Sequence, residues 1–140
     1  PIVAKRAVTR VAPFCYHSCM SGITTLINAV RVALVGIEHA TGERNVRIQI
    51  FLMLCVITAG FYFRVAIWEW CLIVLSIGLV LSAELLNTAI EELADVVRDQ
   101  NHLSREATRL TRDISAGGVL LASISSLVIG LLIFIPKIFA

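Results

Sequence analysis

The sequence predicts an all-α integral membrane protein, with three transmembrane helices preceded by an amphipathic N-terminal helix. Hydrophobic residues make up 58% of the 140 positions and charged residues 16%, with a mean hydropathy of +0.87. A soluble domain of this size leaves a large share of its surface in water and cannot hide that much apolar area inside itself. Ile114 to Pro136 runs for 23 residues without a charge, enough to cross a hydrocarbon core about 30 Å thick. Positive charge is also distributed unevenly among the segments that flank the apolar runs, as membrane insertion favours.

The elements follow in order. Residues 1–30 read as an N-terminal extension, in which Lys5, Arg6 and Arg10 precede a charge-free stretch from Val11 to Val30. That stretch holds Pro13, Tyr16, His17, Ser18, Ser21, Gly22, Thr24, Thr25 and Asn28, too many polar groups for a span. From Leu26 to His39 the apolar residues Ile27, Val30, Leu34 and Ile37 recur at helical spacing. This helix is expected either in the membrane interface or packed on the bundle. Gly42 ends the pattern, and residues 31–140 form the expected membrane domain, with spans at about 46–66, 69–94 and 112–136. The apolar core of the first, Ile48 to Phe63, covers only about 24 Å, so flanking aromatics and snorkelling arginines complete the crossing. Phe61, Tyr62, Phe63, Trp68 and Trp70 surround Arg64 and Glu69, an aromatic belt at a short hairpin.

Arg31, Arg44 and Arg47 precede the first span, and Arg98, Arg105, Arg109 and Arg112 lie between the second and third. The first hairpin carries Arg64 offset by Glu69. The N-terminus and the 95–113 segment are therefore expected in the cytoplasm, with the C-terminus outside. A net charge of +2 without a basic, aromatic-interleaved stripe argues against nucleic acid. Cys55 and Cys71 sit in apolar segments as small hydrophobes, and the Cys15-Tyr-His17-Ser-Cys19 spacing matches no common zinc pattern. No disulfide framework is implied. Pro1 in place of Met predicts a start inside a longer or processed chain, with no evident cleaved signal peptide.

The chemistry concentrates in Glu84-Leu-Leu-Asn87-Thr-Ala-Ile-Glu91, directly after the charge-free run that starts at Trp70 and is broken only by Glu84 itself. At about 100° per residue, Glu84, Asn87, Glu91 and Asp95 fall within about 80° of one another, so one helix face carries all four. Glu84 lies about 21 Å along the helix from Trp70, inside the hydrocarbon, while Asp95 is about 16 Å further, in water. An ionised carboxylate at such a depth costs roughly 2.5–3.5 kcal/mol, which is usually tolerated for function. Glu43 and Glu91 lie at similar depth and together suit a hard cation such as Mg²⁺, commonly held by one or two carboxylates plus substrate phosphates. Arg109, Arg112 and Asp113 stand at i, i+3 and i+4 where the chain re-enters the membrane, and an arginine cluster beside such carboxylates suits phosphoryl transfer.

Three other readings use the same residues. The carboxylates and arginines could be ion pairs holding a small bundle together. Glu84 and Glu91 could line an oligomeric ion or proton pathway, although no carboxylate or histidine in the outer half of any span continues a relay. The polar face could also dock another membrane protein, as in an assembly factor. Glu92, Arg98, Asp99 and Glu106 read as a solvated face. Gly117, Gly118, Ala122 and Ser126 form a small-residue stripe suited to close helix packing.

Glu84-Leu-Leu-Asn87-Thr-Ala-Ile-Glu91 with Asp95, Arg112-Asp113-Ile-Ser-Ala-Gly-Gly-Val-Leu-Leu, and Glu43-Arg44-Asn45 resemble the prokaryotic diacylglycerol kinase/undecaprenol kinase family over roughly residues 30–137. The resemblance implies a homotrimer in the bacterial inner membrane that moves the γ-phosphoryl group of ATP to a lipid alcohol, in phospholipid or related lipid metabolism. It implies Glu84 as general base with Asn87 beside it. Glu43 and Glu91 would hold Mg²⁺, and Asp95, Arg109, Arg112 and Asp113 would meet the nucleotide. The family normally carries Lys-Asp where this chain has Arg112-Asp113. Glu-Arg-Asn, Asn-Thr-Ala-Ile-Glu and the closing Gly130-Leu-Leu-Ile-Phe-Ile-Pro136-Lys137 resemble the undecaprenol branch, whereas the diacylglycerol branch tends to carry Asn-Glu-Ala at the first site.

Overall fold

A computed structural model describes residues 22–139 of the chain. Most of the expected 1–30 extension and the Cys15–Cys19 cluster lie outside the described residues. All regular elements among those residues are helical: α1 (Gly22–Ala40), α2 (Arg44–Tyr62), α3 (Ile67–Gln100), a 3₁₀ turn (Arg105–Thr108) and α4 (Arg109–Ile138). Three stretches are long and apolar enough to cross a membrane: Arg44–Tyr62, Ile67–Gln100 and Arg105–Ile138.

Residues up to Leu34 belong to one contact unit and those from Val35 onward to another. In the first, α1 exposes Leu26, Ile27, Val30, Val32 and Leu34. In the second, α1 ends where the Thr41 hydroxyl donates to the Glu38 carbonyl at 2.7 Å and Gly42 passes close to the His39 carbonyl. Glu43 then adopts an extended conformation as the N-cap of α2.

The α2–α3 hairpin closes without a glycine. Val65 N–H bonds to the Gly60 carbonyl at 3.1 Å and Arg64 N–H to the Phe61 carbonyl at 3.3 Å, a Schellman motif with Arg64 in the left-handed region (φ 50°). Glu69 starts α3 by accepting the Ala66 N–H at 2.6 Å. A Cβ added to Gly60 would stand 2.8 Å from the Trp70 ring, so the close crossing of α2 and α3 requires glycine there. The 69–94 span is part of a helix of 34 residues. At about 1.5 Å per residue it is about 51 Å long, well beyond a ~30 Å core, so its polar end projects into water. It stops in a second Schellman motif, with His102 at φ 52° and Leu103 N–H on the Arg98 carbonyl at 2.9 Å.

The antiparallel pair α3–α4 is the main packing unit. Buried Val65, Ile73 and Ile133 form its apolar centre, flanked by Val56, Trp70, Ile77, Ile129 and Phe134. Phe63 meets Phe134 edge-on at 6.0 Å. Among the described residues no large side chain is fully buried, and many leucines and isoleucines face outward. Such a surface suits lipid or further helices rather than water. The small-residue stripe is used only in part. Ala122 is buried and Ser126 Oγ reaches the Ser76 carbonyl at 3.4 Å, whereas a Cβ on Gly117 or Gly118 would meet nothing within 4 Å.

Candidate functional site

Helical period brings Glu84 and Asn87 to the side of α3 that faces the bundle, and both are buried, 3% and 5% exposed. Each places a polar group out of solvent, where it needs a partner. Asn87 is saturated: its Nδ2 donates to Glu91 Oε1 at 3.0 Å, and its Oδ1 accepts from Ser115 Oγ of α4 at 2.6 Å. Glu84 is not, because its Oε1 is buried with no hydrogen-bond partner. Its polar surroundings are the Asn45 side chain, at the start of α2, and the charge of Glu91 one turn beyond Asn87. An open acceptor on a carboxylate in an apolar setting is a site for a proton donor that arrives with a ligand.

The polar line continues toward the long end of α3. Arg112 of α4 pairs with Asp95, which also receives Arg98 at 2.6 Å. The Arg112 carbonyl lies 2.9 Å from the same Ser115 hydroxyl, so it shares or competes for the one proton that Asn87 Oδ1 accepts. Arg112 is largely covered and its Nε is a buried donor without a partner. Two orphaned groups of opposite kind, a carboxylate oxygen and a guanidinium N–H, therefore sit at the two ends of one polar strip.

The remaining expected residues stand apart from that strip. Arg109 approaches Asp113 at 3.6 Å and Glu106 at 3.7 Å, and all three side chains are exposed. Glu43, the N-cap of α2, is exposed and makes no side-chain cap bond. Among the described residues no three His, Cys, Asp or Glu side chains group as a metal cage. Of the two carboxylates expected to hold a metal, Glu91 is half-buried and accepts from Asn87, and Glu43 is exposed.

The face expected to be solvated is exposed at Glu92, Asp99 and Glu106, with Glu92 against His39 at 2.7 Å, but Arg98 is three-quarters covered while bridging Asp95 and Asp99. Three residues were given no role by sequence: Ser115, Asn45 and His39. Ser115 is three residues from Arg112, so the helical period alone puts it on the same face of α4. Asn45 belongs to the Glu43-Arg44-Asn45 motif, but neither its place beside Glu84 nor that of His39 beside Glu92 is marked locally, since these neighbours lie on another helix.

The sequence profile of the family described as prokaryotic diacylglycerol kinase matches residues 31–134. The chain is 41% identical over 101 residues to an undecaprenol kinase of Bacillus subtilis, covering 72% of this chain and 80% of that protein. It is 32% identical over 114 residues to a diacylglycerol kinase of Synechocystis, covering 81% and 64%, and 30% identical over 103 residues to one of Haemophilus influenzae, covering 73% and 85%. No solved structure matches.

Proposed function

The chain belongs to the prokaryotic diacylglycerol kinase family and is a lipid kinase, and from that premise we propose that it phosphorylates undecaprenol with ATP. The observation that carries this reading is the buried, unpartnered Glu84 oxygen, one turn from the Asn87–Ser115 contact. In the proposed reaction Glu84 takes the proton of the lipid hydroxyl. The freed oxygen bonds to the γ-phosphorus as the bond to the β-phosphate oxygen breaks, and ADP leaves with that electron pair. Asn87, held from both sides, orients Glu91 and borders the hydroxyl. Arg112 faces the phosphates through the donor that no protein group satisfies, with Arg109, Asp95 and Asp113 toward the nucleotide. Glu43 and Glu91 would hold Mg²⁺, which would supply positive charge against that developing on the transferred group.

Undecaprenol is favoured by the 41% identity to the Bacillus subtilis undecaprenol kinase over the lower identities to diacylglycerol kinases. Diacylglycerol is the second reading, supported by those two relatives. We further propose a homotrimer in the bacterial inner membrane, with residues 31–140 as the kinase domain, residues 1–30 as an extension and the N-terminus in the cytoplasm. The exposed apolar faces of α2, α3 and α4 support an oligomer, and the arginines near Glu43 and Arg112 support the orientation. The exposed Leu26, Ile27, Val30 and Leu34 support the expected amphipathic character of α1. The test is transfer of labelled phosphate from ATP to single lipid alcohols in mixed micelles. Glu84→Gln is expected to lower the rate about 10²–10⁴-fold, and a Glu84→Gln enzyme of unaltered rate would falsify the base assignment.

A further inference from the structure

Four polar contacts join α3 to α4, and they form a ladder. Lys137 Nζ meets Glu69 Oε2 at 2.9 Å, Ser126 Oγ donates to the Ser76 carbonyl at 3.4 Å, Ser115 Oγ donates to Asn87 at 2.6 Å, and Arg112 pairs with Asp95. At about 100° per residue Glu69, Ser76 and Asn87 lie within about 20° on α3, and Lys137, Ser126, Ser115 and Arg112 within about 60° on α4. The 26 steps from Glu69 to Asp95 are matched by 25 from Arg112 to Lys137. Two antiparallel helices are therefore held in one axial register along their whole contact.

Without a hydrophobic driving force, helix association inside a membrane rests on packing and on interhelical polar contacts, so the rungs add register-specific contacts to the packing. A slip of one turn moves α4 by about 5.4 Å, more than the two short serine rungs can follow. The rung farthest from the site is the most demanding. Glu69 is 7% exposed and its Oε2 also accepts the Ala66 N–H at 2.6 Å, so the same atom fixes the start of α3 and the end of α4.

We propose that Glu69 and Lys137 are a positioning pair for phosphoryl transfer, acting through helix register on contacts at the other end of the bundle. Their ion pair holds α4 so that Ser115 and Arg112 meet Asn87 and Asp95, about 27 Å from Glu69 at the nearer rung. The inference rests on the reading of Asn87, Asp95 and Arg112 given above. Loss of the pair removes no substrate-binding side chain but shifts α4 against α3, which spoils the alignment of the reacting groups. The cost therefore falls on kcat more than on KM.

The experiment compares Lys137→Met, Lys137→Arg, Glu69→Gln and the Glu69→Gln/Lys137→Met double variant of the full chain in micelles. It measures kcat and KM for ATP well below every melting temperature. Lys137→Met is expected to lower kcat about tenfold with KM changed by less than about threefold, since small misplacements far from the chemistry carry such effects. Lys137→Arg keeps the charge and restores kcat. The double variant lies between Lys137→Met and the wild type, because no buried carboxylate is left alone. Should Lys137→Met fail to fold, a double variant with kcat below that of Lys137→Arg supports the proposal, and equal values overturn it. A lowered melting temperature with unaltered kcat also overturns it. Glu84→Gln run in parallel separates the two readings: if it stays active the site assignment fails, whereas an inactive Glu84→Gln beside a fully active Lys137→Met removes only the positioning pair.

Discussion

Arg112 separates stability from activity more cleanly than any other residue of the site. Replacing it with Met removes a charged hydrogen bond to Asp95, a class of interaction that contributes about 1.5–3 kcal/mol. Two features of the structure reduce the loss. Asp95 keeps Arg98 at 2.6 Å, so its carboxylate is not left alone. The Arg112 Nε is already a buried donor without a partner, and its removal returns about 1 kcal/mol of desolvation cost. The net destabilisation of Arg112→Met is therefore about 0.5–2 kcal/mol. If the guanidinium stabilises charge on the transferred phosphoryl group, the rate falls by at least about 10²-fold, or about 2.7 kcal/mol at the transition state. Arg112→Lys keeps a cation but not the planar fork, and the rate is expected to stay within about tenfold of wild type. Thermal melting in detergent and labelled-phosphate transfer, measured on the same preparations, read the two quantities. Arg112→Met with full activity, or with a rate loss no larger than its folded fraction accounts for, refutes the phosphate role.

Three further outcomes follow from the packing and the caps. Ser115→Ala leaves the buried Asn87 Oδ1 without its donor and is expected to cost about 1–3 kcal/mol in a melting experiment. The same variant should slow transfer because the Asn87 side chain is then held only from Glu91. Gly60→Ala drives a methyl into the Trp70 ring, and a loss of about 1–3 kcal/mol is expected from overpacking, read as a lowered melting temperature. His102→Gly relieves a left-handed residue at the end of α3 and is expected to stabilise the protein by about 1 kcal/mol without altering the transfer rate.

The acidic face was legible because helical period acts on single residues. The repeat that aligns Glu84, Asn87 and Glu91 also buries the first two and bonds the second to the third. The three spans were legible from hydropathy, but their ends were not. From Asp95 to Gln100 three charged residues and Gln100 surround only Val96 and Val97, so a hydropathy limit stopped near residue 94 while the helix continues, held by Arg98 between Asp95 and Asp99. The hairpin at Arg64 and the stop at His102 lack the glycine that usually signals a helix C-terminus, so the aromatic belt placed the first only approximately and nothing local marked the second. Contacts between helices were the least legible. Arg112 with Asp95, Ser115 with Asn87 and Lys137 with Glu69 are fixed by the register of α4 on α3, which no local pattern encodes.

The most direct measurement offers the purified protein undecaprenol and diacylglycerol at equal concentration in the same micelles, with labelled ATP and Mg²⁺, and separates the products. The account predicts label chiefly in undecaprenyl phosphate, and loss of that label in Glu84→Gln. Label chiefly in phosphatidic acid contradicts the choice of acceptor, and label in neither lipid contradicts the assignment of the buried face to phosphoryl transfer.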